Sequence, residues 1–278
     1  MAEEQQQKGN SADWLHVIML LLLVVFAAPL HAADLIRSVH RADIIIILDD
    51  LGNRQTDFNA LGLPSEVVFS ILPDTPLATT LSHRASKQGR DVMLHLPMEA
   101  VANNQLLGPR AIRADMYPSH ISQTLDAALA SVPTAMGINN HMGSLVTRDR
   151  TILQPLMQAV RQRDLFFVDS RTIAGSLAQQ VAVENGVPSA HRHVFLDHEQ
   201  TLSFMNAQFA RLIDIARRRG VAIGIAHPHD STLAFLARHL PQLDAYGVQL
   251  MSMSEYFEAR YEHRAPARNT SRQIAAPH

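Results

Sequence analysis

The chain has 278 residues, 47% of them hydrophobic and 18% charged, with a formal net charge of −2. That supplies apolar material for a sizeable core and gives no electrostatic basis for binding nucleic acid. There is no cysteine, which excludes disulfides, thiolate metal sites, cysteine nucleophiles and a lipobox, whereas 15 histidines make metal chemistry worth testing.

Residues 1–13 are polar. Trp14 to Ala28 is apolar apart from His16, and Pro29-Leu30-His31-Ala32-Ala33-Asp34 follows. An apolar core of this length, closing on small residues, is the pattern of a secretory signal peptide. It is short for a membrane span, which needs about 20 residues. Residues 1–33 are therefore expected to be a signal peptide, or an uncleaved anchor. The protein is expected to be periplasmic or otherwise exported, touching a membrane only through this segment if uncleaved. Residues 34–262 form the body, and 263–278 a polar, disordered tail.

The body opens on Ile44-Ile45-Ile46-Ile47-Leu48-Asp49-Asp50-Leu51-Gly52. Consecutive β-branched aliphatics predict a strand buried on both faces. Asn53 to Leu63 reads as a loop and short helix, and Glu66 to Pro73 as the second strand. Thr75 to Gly89 has helical spacing and a C-terminal Lys87-Gln88-Gly89 stop. Asp91 to Glu99 is the third strand, Ala100 to Tyr117 is irregular, and Pro118 to Val132 is helical. Ala135 to Ser144 is the fourth strand and a polar turn, followed by a helix over Arg150 to Arg163. Leu165 to Thr172 is the fifth strand and its rim; Ser176 to Asn185 is helix, stopped by Gly186 and Pro188. His193 to Asp197 is the sixth strand, Thr201 to Arg219 a helix, Val221 to His229 the seventh strand and Ser231 to Leu240 a helix. Val248 to Met251 offers an eighth strand. Alternating strand and helix imply a mostly parallel sheet, and this number of units favours a barrel.

The strands repeatedly end in acid–base or metal-competent residues: Asp49-Asp50, His95, Asn140-His141, Asp169, Asp197 and His227. Parallel strands put all their carboxyl ends on one rim. A catalytic zinc takes three protein ligands and keeps one position open. With no cysteine, the best three are Asp50, His95 and His141, with Glu99 and His227 in reserve. Neighbouring strand residues point in opposite directions, but a backbone turn at the strand end lets both Asp49 and Asp50 reach the rim. One can bind a metal while the other acts as general base. His227 is the candidate proton donor, with His229 beside it in a possible capped turn. Asp169 and Arg171 are either a structural ion pair or a pair orienting the site. No H-E-x-x-H, G-x-S-x-G, Walker loop or dinucleotide fingerprint is present.

The blocks Ile47-Leu48-Asp49-Asp50-Leu51-Gly52, His95-Leu96-Pro97-Met98-Glu99, Asn139-Asn140-His141-Met142-Gly143-Ser144, Val168-Asp169-Ser170-Arg171 and Ala226-His227-Pro228-His229 occur in this order. Together they resemble the divergent polysaccharide deacetylases, the YibQ-like family, over about Ala42 to Phe257. That family is related to NodB-type carbohydrate esterases. The resemblance implies a distorted seven-stranded (β/α) barrel and removal of acetyl groups from N-acetylated sugars with a divalent metal, most commonly zinc. By this likeness Asp49 is the base, Asp50 a metal ligand and His227 the acid. The relatives' His-x-x-x-His motif is here His95-x-x-x-Glu99, and their arginine-bearing strand end here carries Asn140 and His141. His141 is therefore expected to enter the ligand set, with Glu99 a further possible ligand. Asn140, Asp169, Arg171 and His229 are expected around these groups, orienting them.

Two functions follow. The first is an exported metal-dependent hydrolase acting on an envelope polysaccharide or peptidoglycan-like glycan. The second is a catalytically altered barrel serving as an envelope binding or scaffold protein. The altered second motif favours the latter, as does an aromatic content of 5%, with one Trp, inside the leader, and four Tyr to stack on sugar rings.

Overall fold

The computed structural model describes residues 41–261, so the expected leader (1–33) and tail (263–278) lie outside the described residues. The strands are β1 (Ala42–Leu51), β2 (Val68–Ile71), β3 (Val92–Met98), β4 (Gly137–Met142), β5 (Phe166–Asp169), β6 (Ser189–His191), β7 (Val194–Phe195), β8 (Val221–Ala226) and β9 (Val248–Leu250). The α-helices are α1 (Ala78–Lys87), α2 (Pro118–Ser131), α3 (Arg150–Gln162), α4 (Ala178–Glu184), α5 (Leu202–Arg219), α6 (Asp230–His239) and α7 (Met253–Tyr261). Among the described residues no helix is long and apolar enough to cross a membrane.

All ladders are parallel, in the order β6-β5-β4-β3-β2-β1-β8-β7. β9 joins β1 at Ala42–Ile44, below the stretch that pairs with β2. This is the expected distorted (β/α) barrel, with nine strands among the described residues in place of seven. It stays open on one side, because β6 and β7 end the path without pairing.

Period-two alternation divides the isoleucine run of β1 between two cores. Ile44, Ile46 and Leu48 pack in the layer between sheet and helices. Ile45 and Ile47 join Val68, Met93, Phe166, Val168, Ala190, Ile223 and Ile225 inside the barrel. Met253 and Phe257 of α7 complete that inner cluster. The inner residues fix the parity of each strand. Two positions further along stand Asp49 after Ile47, Ser70 after Val68, His95 after Met93, Ser170 after Val168 and His227 after Ile225. The polar layer thus rests on an apolar plug.

The sequence reading omitted two elements. β6 is only Ser189–His191, too short and too polar to announce itself, and the expected sixth strand shrinks to Val194–Phe195. α7 has a polar surface and little periodicity, and only Met253 and Phe257 are buried. The irregular segment after β3 is as expected, apart from a short 3-10 turn at Asn104–Leu106 and a bridge between Met98 and Ile112.

Gly137 makes room for the ring of Phe166 in the inner cluster. A Cβ at Gly137 would come within 2.1 Å of the ring of Phe166, which packs on Phe257 with centroids 4.6 Å apart. Gly137→Ala is therefore expected to destabilise the fold by about 1–3 kcal/mol through overpacking. Urea unfolding measures this, and Phe166→Leu in the same chain should recover part of the loss.

Candidate metal centre and active site

The polar layer opens into a cavity of about 600 Å³ lined by Asp49, Asp50, His95, His141 and His227, with Phe195, His198 and Val101 at its edge. Parity alone would turn Asp50 away from Asp49. The backbone at Asp50 instead takes φ 58°, the left-handed region, and brings its carboxylate to the same rim. Met142, directly after His141, has φ 55°. Such strained positions tend to gather at functional sites. The turn beyond Asp50 is held by Asp57, whose Oδ2 accepts the N–H groups of Gly52 (2.9 Å) and Arg54 (3.0 Å).

Asp50 Oδ1 lies 2.9 Å from His141 Nδ1 and 3.2 Å from His95 Nε2, and the two ring nitrogens are 3.3 Å apart. His95 Nε2 is also 3.7 Å from Asp49 Oδ2. Three donor atoms from three different strands thus converge. His227 approaches from β8, its Nε2 4.0 Å from Asp50 Oδ2.

A buried amide sets the orientation of this group. Asn139 is fully buried; its Nδ2 donates to Asp49 Oδ1 at 2.7 Å. Its Oδ1 accepts Ser70 Oγ–H at 2.6 Å and stands 2.7 Å from His95 Nδ1. An acceptor at Oδ1 requires the proton of His95 on Nδ1, leaving Nε2 to face Asp50. A second support holds His227. Asp197 Oδ1 accepts from its Nδ1 at 2.9 Å, and Oδ2 accepts its backbone N–H at 2.7 Å and Thr232 Oγ1–H at 2.9 Å.

These contacts shift the acidities. Burial raises the Asp49 carboxyl, with Asp50 adding to the rise, while His95, His227 and the Asn139 amide pull it down. Burial also works against the charged form of Asp50, but hydrogen bonds and charge from His141 and His95 hold its carboxyl well below the usual range. Burial would lower His95; Asp49, Asp50 and the Asn139 hydrogen bond raise it instead. Burial would lower His227 too, yet the hydrogen bond and charge of Asp197, with the fields of Asp49 and Asp50, lift it to about 9.

The other expected site residues stand elsewhere. Glu99 lies outside the triad, its Oε2 accepting the Ala114 N–H at 2.9 Å and so fastening the loop after β3. Asn140 is outside the triad but borders the cavity, as expected; it accepts Ser170 N–H and donates to Met142 O, both at 2.8 Å. Asp169 is likewise on the outward parity of β5, accepting the Arg171 N–H and Ser176 Oγ–H at 2.8 Å each. The expected Asp169–Arg171 pair is therefore a link to backbone, not an ion pair over the site. Arg192 occupies that region instead, donating to Ser170 O and Arg171 O and lying 3.6 Å over the Phe195 ring. His229 precedes α6 and can group with Asp197 and His227, but three donated hydrogen bonds already occupy the oxygens of Asp197. Asn139 and Ser70 were not singled out in the sequence, although both lie on the inward parity. Asp197 was noticed there only as a polar strand end.

The triad Asp50, His95 and His141 suits a divalent cation. Asp50 Oδ1 faces the ring nitrogens of His141 and His95, and imidazole and carboxylate are a hard-to-borderline donor set. Protons would compete with a cation for the histidine nitrogens, so cation affinity is expected to fall as pH falls. Asn139→Ala is expected to weaken divalent-cation binding about 10–100-fold by releasing His95, as measured by competition with a chelating dye. Glu99→Gln should leave that affinity unchanged.

Residues 46–257 match the model of a family described as divergent polysaccharide deacetylase. The YibQ protein of Escherichia coli K12 is 34% identical over 255 residues, covering 91% of this chain and 77% of that protein. A Haemophilus influenzae protein is 34% identical over 234 residues, covering 83% and 81%. The crystal structure of ATU2773 from Agrobacterium tumefaciens C58 superposes with a TM-score of 0.74 at 24% identity, covering 78% of this chain and 89% of that one, and so shares the fold. The chain belongs to the divergent polysaccharide deacetylase family.

Proposed function

We propose that the protein is an exported hydrolase that removes acetyl groups from an envelope polysaccharide, with a divalent cation, zinc by its donor set, held by Asp50, His95 and His141. The observation that carries this reading is the pair of proton carriers beside the triad, each fixed by its own buried partner: Asp49 by Asn139 and His227 by Asp197. Family membership supports a carbohydrate substrate, and the apolar stretch Trp14–Ala28 supports export.

A bound cation supplies polarisation of the acetyl carbonyl and a more acidic water. Asp49, acceptor-only when ionised, takes the proton of the attacking water. Its hydrogen bond from Asn139 keeps one carboxylate oxygen engaged and leaves Oδ2 for this transfer. His227 is protonated at neutral pH and gives its Nε2 proton to the departing amine or alkoxide, while Asp197 holds the ring and stabilises its charge. The products are acetate and the freed amine or hydroxyl of the sugar.

Zinc-loaded protein is expected to release acetate from N- or O-acetylated envelope glycan, as measured by an enzyme-coupled acetate assay. Asp49→Asn and His227→Ala should each reduce the rate about 10²–10⁴-fold, the usual contribution of a general base or acid. The rate should fall as pH rises through a limb at or below about 9, because the donor must be protonated and a cation on Asp50 draws its pKa down. Asp197→Asn should move that limb about one to three pH units lower, the usual effect of losing a neighbouring opposite charge. Binding of glycan without acetate release would overturn the enzymatic reading in favour of a scaffold.

A further inference from the structure

The open side of the barrel contains a second cavity, of about 450 Å³. It lies between β6 and the first half of β8 and is bounded by α7 and the end of α5; its lining includes Ser189, His191, His193, Arg219, Tyr256 and Arg260. Ser189 and Val221, both in the lining, begin their strands, so the cavity is toward the amino end of the barrel, away from Asp49 and Asp50.

Its chemistry is one-sided. No aspartate or glutamate lines it. Among the described residues, neither Arg219 nor Arg260 forms a salt bridge with a carboxylate. Ser189 is 5% exposed, and its hydroxyl oxygen is buried without a hydrogen-bond partner. Tyr261, also in the lining, accepts the Ser189 N–H at its phenol oxygen at 3.2 Å, which leaves its own O–H to donate. His193 Nδ1 accepts the Ile223 N–H at 3.0 Å, so the neutral ring carries its proton on Nε2. His191 Nδ1 is 2.7 Å from Gln179 Oε1, and its ring lies 4.7 Å from that of His193. Burial first, and then Arg171, Arg219 and Arg192, press the His191 pKa down to about 4; burial, then the neighbouring His191, then Arg219, Arg171 and Arg192 press that of His193 to about 4 as well. The field in the cavity is therefore positive even with both rings neutral.

We infer that this cavity is a second binding site, taking a phosphoryl anion, free or esterified to a small molecule. The donors are the Ser189 hydroxyl of β6, the Tyr261 phenol and Arg260 guanidinium of α7, the Arg219 guanidinium of α5 and, from the link between β6 and β7, His193 Nε2–H. A carboxylate has two oxygens and would be satisfied by one guanidinium fork, whereas a phosphoryl group offers oxygens to donors on several sides. The cavity exceeds the bulk of bare phosphate and falls within the roughly 300–1,000 Å³ of small-ligand pockets. Val183, Ala190, Val221 and Ile223 provide an apolar wall for an organic portion. The inference is independent of the deacetylase reading, since it uses none of that site's groups.

Isothermal titration of the full chain with inorganic phosphate, a hexose phosphate and the unphosphorylated hexose, at constant ionic strength, tests this. At least one phosphorylated probe should bind saturably at one site, and the free hexose should not. Tighter binding of the ester identifies a phosphorylated compound as the ligand; equal or tighter binding of inorganic phosphate identifies the free anion. Ser189→Ala and Arg219→Gln should each weaken binding about tenfold or more, as expected for lost bonds to a charged group, with thermal melting confirming that both remain folded. Asp50→Asn should bind as wild type does. The inference is overturned if neither phosphorylated probe binds, if both cavity variants bind as tightly as wild type, or if Asp50→Asn abolishes binding and thereby locates the anion at the other site.

Discussion

The amide of Asn139 is the constraint on which the site's geometry depends. Its nitrogen must donate, because it faces the Asp49 carboxylate; its oxygen must accept, because Ser70 and the His95 Nδ1 proton meet there. Rotating the amide by half a turn would set oxygen against oxygen and donor against donor. In a fully buried position no water relieves that conflict, and each unsatisfied group costs about 1–3 kcal/mol. One side chain therefore fixes the Asp49 carboxylate, the tautomer of His95 and the direction in which His95 presents Nε2. The donor triangle with Asp50 and His141 follows from that choice.

The barrel makes such a bridge possible. Parallel strands bring residues far apart in sequence to one level, and period-two alternation decides which of them look inward. In β4, Asn139 lies on the same parity as Gly137, whose missing side chain admits Phe166 into the apolar plug, while Asn140 lies on the other. The same strand thus supports the core at one residue, orients the chemistry two residues later and braces a loop with the residue between.

Much of this was legible in the sequence. The isoleucine run of β1 and the alternation of strand and helix gave the barrel, and the polar strand ends gave Asp49, Asp50, His95, His141 and His227. Two kinds of feature escaped. β6 and α7 carry little apolar signal of their own: β6 is held through pairing with β5, and α7 buries only two residues against the inner cluster. Motif position also misdirected attention from parity. Glu99 sits where the related motif has a ligand, yet its carboxylate turns to the backbone at Ala114. Asp169 is a polar strand end like the others, but its parity is that of Phe167, which packs in the outer layer. Counting in twos from the apolar residues sets Asp169 aside and raises Asn139 and Ser70. Asp50 breaks that rule because its left-handed backbone, which aspartate tolerates better than most residues, re-aims the side chain.

In the proposed reaction the two proton carriers need opposite states at one pH. Asp49 must be ionised to accept a proton, whereas burial and the charge of Asp50 oppose its ionisation. His227 must be protonated to donate, and Asp197, Asp49 and Asp50 all favour that state. Asp50 thus raises the pKa of both groups. Neutralising its charge with a cation lowers both: Asp49 ionises more readily, and His227 holds its proton less firmly but keeps the private support of Asp197. The same change therefore carries the base toward its reactive form and makes the acid a better donor. Dividing acid and base roles at neutral pH needs the base ionised while the acid keeps its proton. It requires that Asp49 and His227 not share a stabilising partner, and the separate anchors at Asn139 and Asp197 meet that requirement.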